Sequence, residues 1–202
     1  MATDILLAVP TFETVTTETF KSIYDLYIPK NCKIELRLIK GYDCARARNQ
    51  IVDLALKKCF DFIFMVDSDV ILPKFALNDL LQEPADILFG IYPRKDEPNK
   101  SEIFSYEFGD YSPAARWNIN ELKNYPSDRI QVGGGGFGCT LLNADIFTEK
   151  QGLQKPWFKY VDYGNGELLS EDLYFCAQAK EAGIKMYVDT RVICGHVGKK
   201  IL

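Results

Sequence analysis

Several features are scarce in this chain, and each scarcity excludes a class of protein. Histidine occurs once, as His196, and the six cysteines (positions 32, 44, 59, 139, 176 and 194) include no pair separated by two residues. Zinc and redox motifs built on paired cysteines are therefore absent, and reduced thiols are expected. The chain also lacks a run of about 20 apolar residues, the length that a membrane-spanning helix needs.

Positive charge is not in excess either, since 24 lysines and arginines stand against 28 acidic residues, for a net charge of -4. This balance argues against a broad electrostatic contact with nucleic acid, so we expect no nucleic-acid partner. Phosphate groups of a ligand would then be neutralised locally, by a metal or a few arginines. The start, Met1-Ala2-Thr3-Asp4, lacks the basic segment of a secretory signal, and we expect a cytoplasmic protein with no membrane span.

The order of the predicted elements indicates an α/β fold. Apolar segments at 5–9, 32–39, 62–66 and 85–91 predict strands, and the segments 11–27, 44–59 and 73–81 predict the helices between them. Such alternation is typical of a mostly parallel central sheet flanked by helices, with ligands bound beyond the carboxyl ends of its strands. We expect loop with short strands over 92–128. Strands at 129–132, 138–142, 185–188 and 191–194 and a helix at 171–182 then form a small antiparallel C-terminal portion.

The stretch Asp67-Ser68-Asp69 directly follows an apolar strand. Residues i and i+2 of an extended backbone point to the same side, so the two carboxylates can hold one divalent cation and leave positions open for substrate phosphates. The alternative is that the aspartates only end the strand. An EF-hand calcium loop is excluded, because its sixth and twelfth positions would be Leu72 and Asn78 instead of glycine and glutamate.

Two polar groups further along the chain can complete such a site. His196 lies between glycines after a predicted strand, and imidazole favours Mn²⁺ over Mg²⁺ as the metal. The Glu171-Asp172 pair follows Ser170, a candidate helix N-cap. These carboxylates either complement the helix dipole or provide a general base that takes a proton from an acceptor hydroxyl.

A glycine-rich run, residues 133–138, formally contains a dinucleotide-binding pattern, but a strand-like segment follows it where that motif needs a helix. We interpret Gly135, Gly136 and Phe137 either as a wall that a flat sugar approaches or as a turn between strands. Trp157 either provides an aromatic platform for a sugar ring or packs in the core.

Three polar residues, Arg46, Arg48 and Asn49, open the second predicted helix. They form either a solvated helix face or a contact with the nucleotide, since arginine is suited to bidentate phosphate binding.

Six segments occur together in a characteristic order: Leu7-Ala8-Val9-Pro10-Thr11, Ala45-Arg46-Ala47-Arg48-Asn49, Val66-Asp67-Ser68-Asp69, Gly136-Phe137-Gly138-Cys139, Glu171-Asp172 and Gly195-His196. In these segments the chain resembles glycosyltransferases of the GT-A fold, closest to the family-2-like group, over nearly its whole length. The resemblance implies a single GT-A domain of residues 1–202. Residues 1–91 would form the nucleotide-sugar-binding half, and residues 92–202 the acceptor and catalytic half.

The resemblance also implies an activity of the hexosyltransferase type. A sugar would move, with inversion, from a nucleoside-diphosphate sugar, UDP-linked by family frequency, to a hydroxyl of a carbohydrate or glycan acceptor. Asp69 would be the main metal ligand, with Asp67 assisting or contacting the ribose and His196 completing the shell. Asp172 would be the base and Glu171 its orienter or substitute. Residues on the nucleotide-sugar side would be Pro10, Thr11, Glu13, Arg46, Arg48, Asn49, Asp67 and Ser68.

Two other functions compete with this one. A sugar-phosphate nucleotidyltransferase shares a similar nucleotide-binding half, but residues 10–14 lack the glycine-rich, basic loop that such enzymes carry after the first strand. A non-catalytic nucleotide- or sugar-binding module would tolerate loss of the Glu171-Asp172 pair, which is present. The chain is short for the family, so we expect a larger multidomain context, a homo-oligomer or a small acceptor.

Overall fold

A central sheet that mixes parallel and antiparallel strands organises the protein. The structure, a computed structural model, describes residues 2–41, 43–105, 115–148, 153–164 and 168–198. The strands of the described ranges are β1 (Thr3–Thr11), β2 (Cys32–Lys40), β3 (Phe62–Val66), β4 (Val70–Ile71), β5 (Ile87–Ile91), β6 (Lys100–Phe104), β7 (Arg116–Asn118), β8 (Arg129–Val132), β9 (Gly134–Gly135), β10 (Cys139–Asn143), β11 (Val161–Asp162), β12 (Leu168–Leu169), β13 (Met186–Ile193) and β14 (Gly195–His196).

The helices of the described ranges are α1 (Thr17–Tyr24), α2 (Cys44–Lys58), α3 (Ala76–Gln82), α4 (Ile119–Lys123) and α5 (Glu171–Glu181), with a 3₁₀ turn at Ala144–Phe147. None of these helices is long and apolar enough to cross a lipid bilayer.

The seven-stranded central sheet has the order β2-β1-β3-β10-β5-β13-β8. Strand β1 pairs in parallel with β2 and β3, and β5 pairs in parallel with β13. Strand β10 lies antiparallel between β3 and β5, and β8 is antiparallel to β13 at the edge. Because β3 and β5 are both antiparallel to β10, strands β1, β2, β3, β5 and β13 all run in one direction. The predicted α/β class with a mostly parallel sheet is confirmed, and small antiparallel sheets accompany it.

The two faces of the sheet bury separate apolar clusters, as the alternation along each strand requires. On β1, for example, Leu6 and Ala8 face one cluster while Leu7 and Val9 face the other. The first cluster includes buried residues of α2 and α5, and the second includes residues of α3. Apolar side chains therefore cover the sheet on both faces, and polar functional groups lie at the ends of the strands.

The start of the first helix differs from the prediction of 11–27. Thr11 is still part of β1, where it is paired with Lys40, and the helix begins only at Thr17. The Thr16 side chain caps it by accepting a hydrogen bond from the Thr19 amide at 3.3 Å. The loop between β1 and α1 consequently lies at the carboxyl end of β1, where ligands of such sheets bind.

Two predictions for the second half of the chain also need correction. The predicted strands at 185–188 and 191–194 form one strand, β13, whose register with β5 shifts between Val188 and Ile193. The predicted loop with short strands over 92–128 contains β6 and β7, but also the short helix α4, which Asn118 and Glu121 stabilise as a capping box. Residues 106–114 of that segment lie outside the described residues.

Candidate functional site

A cleft opens at the carboxyl ends of β1 and β3. It is a cavity of about 380 Å³ lined by Pro10, Thr11, Phe12, Gly41, Asp43, Cys44, Ala47, Asp67, Ser68, Asp69 and Tyr160. Five residues of the predicted site, Pro10, Thr11, Asp67, Ser68 and Asp69, therefore lie around one cavity. The other predicted site residues do not line this cavity.

A small two-stranded sheet brings His196 to the aspartates. Strand β4, which follows the aspartates, pairs antiparallel with β14, and His196 is opposite Val70. The Val197 amide also donates to the Asp69 carbonyl oxygen at 2.8 Å. These backbone contacts place His196 Nε2 3.3 Å from Asp69 Oδ1. The carboxylate and the imidazole predicted to share a metal are thus neighbours.

The orientation of the His196 ring is fixed by a second hydrogen bond. Its Nδ1 is 2.7 Å from the carbonyl oxygen of Pro93, which can only accept, so Nδ1 carries the proton and donates. Tyr92 contacts the ring edge to face, at 5.4 Å between centroids. Burial lowers the pKa of His196, but the hydrogen bonds to Asp69 and Pro93 outweigh burial and raise it above its ordinary value. When the ring is neutral, Nε2 carries a lone pair on the side of the ring that faces Asp69.

Asp69 is held ionised by cationic neighbours. The hydrogen bond with His196, followed by contact with the Lys95 ammonium, lowers the pKa of Asp69 to about 2. Lys95 contacts Oδ2 and His196 faces Oδ1, so each carboxylate oxygen has its own partner. Lys95 lies just after β5, and it was not predicted as a site residue.

Arg48 is not on a solvated helix face, and it does not line the cleft. Only 2% of the residue is exposed, and its guanidinium lies between two carboxylates. Nη2 donates to Asp67 Oδ1 at 2.9 Å, and Nη1 donates to Glu171 Oε1 at 2.5 Å. Burial alone would lower the pKa of Arg48, but the two carboxylates raise it above its ordinary value. Arg48 therefore stays charged and connects the Asp67 side of the site to α5.

The two carboxylates predicted as base and orienter have different surroundings. Glu171 is 6% exposed, and burial raises its pKa against the opposing effect of Arg48. Asp172 accepts from the Leu173 amide at 2.8 Å and from the Ser170 hydroxyl. Ser170 occupies the predicted N-cap position of α5, but its hydroxyl bonds to Asp172 instead of to a backbone amide. Asp172 is thus only partly buried and makes no ion pair within the described residues.

The glycine-rich run packs against Tyr92 instead of forming an open wall. Gly135 and Gly136 are buried, and a Cβ on Gly136 would collide with the Tyr92 hydroxyl. Phe137 is completely buried, and Trp157 is 6% exposed. Both aromatic rings pack in the first apolar cluster, which is the core position weighed for Trp157 in the sequence. Their burial removes both rings from the surface that a sugar could contact.

Asn49, Arg46 and Glu13 lie away from the lining of the cavity. Both ends of the Asn49 amide bind backbone: Nδ2 donates to the Ala45 and Phe158 carbonyl oxygens, and Oδ1 accepts from the amides of residues 157 and 158. Arg46 is exposed, with its Nε 3.9 Å from Asp43 Oδ2. Glu13 is exposed in the loop after β1. Neither Arg46 nor Glu13 lines the cavity.

The structure adds residues that sequence reasoning missed. Phe12, Asp43, Cys44 and Tyr160 line the cavity. The Tyr160 hydroxyl donates to Glu171, and burial raises the pKa of Tyr160. Its segment carries no motif, and the Asn49 contacts with the backbone just before it help to hold Tyr160 at the cleft. Asp43 was recognisable only as the residue before α2, whose N-terminus it caps by accepting from the Arg46 amide.

The donor chemistry fits a divalent cation with two protein ligands. In the ranges that the structure describes, no three His, Cys, Asp or Glu side chains are grouped closely enough to hold a metal by themselves. Asp67 has one oxygen engaged by Arg48, whereas Asp69 and His196 offer an oxygen and a nitrogen 3.3 Å apart. Mg²⁺ and similar ions are commonly held by one or two carboxylates with substrate phosphates supplying further ligands. Asp69 supplies one such carboxylate, and the imidazole of His196 favours Mn²⁺ over Mg²⁺ as the metal.

The sheet order and the cleft define a GT-A-like fold. No protein-family model matches the chain, and no curated protein matches it in sequence. Among solved structures, the chain is similar to the crystal structure of A197 from STIV, with 17% sequence identity, a TM-score of 0.66, and coverage of 98% of this chain and 86% of that chain.

A second neighbour is GalNAc-T7, a GT-A glycosyltransferase solved with UDP, GalNAc and Mn²⁺. It has 8% sequence identity and a TM-score of 0.61, over 96% of this chain and 44% of that chain. The inositol-1-phosphate CTP transferase from T. maritima, at 12% identity over 98% of this chain and 90% of that chain, has a TM-score of only 0.44, which is too low to carry an argument. At these identities the likeness concerns the fold.

Proposed function

We propose that the chain is a metal-dependent glycosyltransferase that moves a sugar from a nucleoside-diphosphate sugar to an acceptor hydroxyl with inversion. The observation that carries the proposal is the cleft at the carboxyl ends of β1 and β3, in which Asp67 and Asp69 line a cavity of about 380 Å³ beside His196. The GT-A-like fold supports this choice, and the UDP and Mn²⁺ of GalNAc-T7 favour UDP-hexoses and Mn²⁺ as the first ligands to test, with Mg²⁺ next.

In the proposed reaction, Asp69 and His196 hold the metal together with the donor's diphosphate. A divalent cation bound there supplies the positive charge that stabilises the leaving nucleoside diphosphate. His196 donates through Nδ1 to Pro93, which leaves Nε2 facing Asp69, where it would be available to a cation. Pro10, Thr11 and Ser68 line the part of the cavity assigned to the donor.

Asp172 is the proposed general base. Its carboxylate accepts hydrogen bonds but has no cationic partner in the described residues, whereas Glu171 is committed to Arg48 and Tyr160. A free carboxylate can accept the proton of the acceptor hydroxyl as the hydroxyl attacks the anomeric carbon. Residues 92–202 thus supply the base and the acceptor side, and residues 1–91 supply most of the donor side. A carbohydrate or glycan acceptor and the cytoplasm as compartment stay predictions.

The first experiment measures thermal unfolding with UDP and other nucleoside diphosphates, each with Mn²⁺ or with EDTA. A ligand at about 100 times its dissociation constant adds about 2.7 kcal/mol, which raises the Tm of a chain of this size by about 5–11 °C. We expect a Mn²⁺-dependent shift with UDP that Asp69→Ala abolishes and that Asp25→Ala, a change of an exposed aspartate on the end of α1, retains. A shift that survives Asp69→Ala would overturn the metal assignment.

A second variant separates transfer from donor binding. Asp172→Asn keeps an oxygen for the Leu173 amide but cannot accept a proton, so we expect unchanged UDP affinity and a loss of turnover of about 10²–10⁴-fold. Release of UDP from a panel of UDP-hexoses, with water or simple sugars as acceptor, measures the turnover. Wild-type turnover in this variant would move the base to another residue, and donor binding without any release by the unmodified protein would favour the binding-module alternative.

A further inference from the structure

The strongest unexplained feature of the site is a buried cation shared by two carboxylates from distant parts of the chain. The Arg48 side chain is 3% exposed, and the side chains of its partners Glu171 and Asp67 are 7% and 30% exposed. The two bonds leave from different nitrogens of one planar group, Nη1 to Glu171 and Nη2 to Asp67. The guanidinium also lies over the Phe137 ring, with Cζ 5.4 Å from its centroid.

We infer that Arg48 is a positioning residue for the proposed transfer: its single guanidinium fixes Asp67 on the donor side and Glu171 on the base side relative to each other. Neither carboxylate then acts as the base or as the principal metal ligand. These roles stay with Asp172 and with the Asp69–His196 pair. The inference rests on the proposed function, which gave neither Asp67 nor Glu171 a role of its own.

The geometry of the guanidinium explains why arginine occupies this position. Its planar fork presents several N–H donors in fixed directions, so one side chain can bind two carboxylates at once, whereas a lysine ammonium is a single point charge. A buried carboxylate without a partner is costly, and each carboxylate here uses the same cation as its partner. Displacing the guanidinium therefore disturbs both carboxylates together.

The surface beneath Arg48 is rigid. Phe137 meets Phe158 and Phe175 edge to face, at 5.1 and 5.2 Å between centroids, and Phe158 stacks on Phe175 at 4.8 Å. All three rings are essentially inaccessible to solvent. Close packing allows few alternative rotamers, so the guanidinium has a fixed platform from which to hold the two carboxylates. This platform is the use that the structure gives to Phe137, in place of the predicted sugar contact.

The test compares Arg48→Lys with Arg129→Lys. Arg129 is a matched control because it is also largely buried, at 15% side-chain exposure, and it also faces a buried carboxylate, with Nε 3.6 Å from Asp189 Oδ2. It lies on β8 at the edge of the sheet and takes no part in the cleft. Two quantities are measured for each variant: UDP affinity with Mn²⁺, and kcat for release of UDP from UDP-hexoses.

We expect Arg48→Lys to lower kcat about 100-fold, the effect of misplacing reacting groups by about 1 Å, with a change in UDP affinity of only about threefold. Arg129→Lys should leave both quantities unchanged in the folded protein. Wild-type kcat in Arg48→Lys, or an equal loss in Arg129→Lys, would overturn the positioning role.

A double variant tests separately whether Arg48 acts through Glu171. Residues that act as a unit have non-additive effects, so Arg48→Lys combined with Glu171→Gln should turn over no more slowly than the slower single variant. Effects that multiply would mean independent roles and would contradict the inference. If the unmodified protein shows no Mn²⁺-dependent UDP binding, the proposed function itself fails. If it binds UDP without releasing any from UDP-hexoses, the donor site stands and the base-side part of the inference falls.

Discussion

At the scale of single residues, Lys95 is a second cation at the site, in contact with Asp69. Its ammonium contacts Oδ2 of the carboxylate that we propose as the main metal ligand. The side chain is 48% exposed, so water screens the contact and it is worth at most about 1 kcal/mol. A divalent cation bound by Asp69 would therefore compete with this ammonium for the charge of the Asp69 carboxylate.

This competition predicts that Lys95→Met tightens Mn²⁺ binding up to about fivefold, the equivalent of about 1 kcal/mol. Titration calorimetry with Mn²⁺ and UDP measures the change. Lys21→Met is the control, because Lys21 is likewise an exposed lysine paired with an aspartate, Asp25, at 2.5 Å, but it lies on α1 away from the cleft. Weaker Mn²⁺ binding in Lys95→Met would show instead that Lys95 binds the diphosphate.

The candidate site was predictable from the sequence only where its residues follow strands. Asp67 and Asp69 end a wholly apolar strand, and parallel strands bring their carboxyl ends to one edge of the sheet, so their place at a cleft could be anticipated. Burial of a polar residue inside a helix leaves no such signal. Arg48 therefore had two equally open interpretations, and its shared contact with Asp67 and Glu171 was in neither of them. Tyr160 has no local pattern at all.

At the scale of elements, the turn between β9 and β10 is set by the close approach of Tyr92. The Gly138 amide donates to the Tyr92 hydroxyl oxygen at 3.1 Å, and a Cβ at Gly138 would lie 2.7 Å from Tyr92 Cζ. The Gly136 amide meanwhile donates to the Glu102 carbonyl oxygen at 2.8 Å. The glycines thus let three strands and one aromatic ring meet, and His196 contacts that ring edge to face.

We predict that Gly136→Ala destabilises the protein by about 1–3 kcal/mol, because the new methyl group would overlap the Tyr92 hydroxyl in a packed interior. Urea unfolding at a constant m-value measures the change. Gly198→Ala is the control, since nothing lies within 4 Å of a Cβ there. Adding Tyr92→Phe should recover part of the loss, and an unchanged midpoint in Gly136→Ala would refute the packing argument.

The elements themselves were largely predictable, and the errors have physical causes. Alternation and apolar runs located β1, β2, β3, α2 and α5 to within a few residues, since burial on one or both faces controls those patterns. The start of α1 was wrong, because Thr11 pairs with β2 and the cap at Thr16 depends on one side-chain hydrogen bond. The pairing of β10 between β3 and β5 could not be predicted, because no local pattern specifies which strands become neighbours.

At the scale of the whole molecule, the position of β10 joins the two halves of the chain. Strand β10, from residues 92–202, pairs with β3 over five residue pairs, Cys139↔Val66 through Asn143↔Phe62, and with β5 on its other side. Residues 1–91 contain β3 and β5 but no strand that pairs between them. Residues 1–91 and residues 92–202 therefore share one central sheet.

A fragment of residues 1–91 is accordingly predicted not to fold by itself. Its strand β5 would lose both neighbours, β10 and β13, and the buried strands β3 and β5 would each expose an unpaired edge. Circular dichroism during urea unfolding should show no cooperative transition for the fragment, whereas the whole chain should show one. A cooperative transition in the fragment would mean that β3 and β5 can pair without β10.

During synthesis on the ribosome, the same strand order delays the pairing of β5. The first three strands of the central sheet emerge early and can associate, but β5 must remain without partners until residue 143 has left the exit tunnel. At about 5–20 residues per second, this interval lasts a few seconds. Through that time the nascent chain displays unpaired apolar strand edges, so we expect its risk of aggregation to be greatest at this stage.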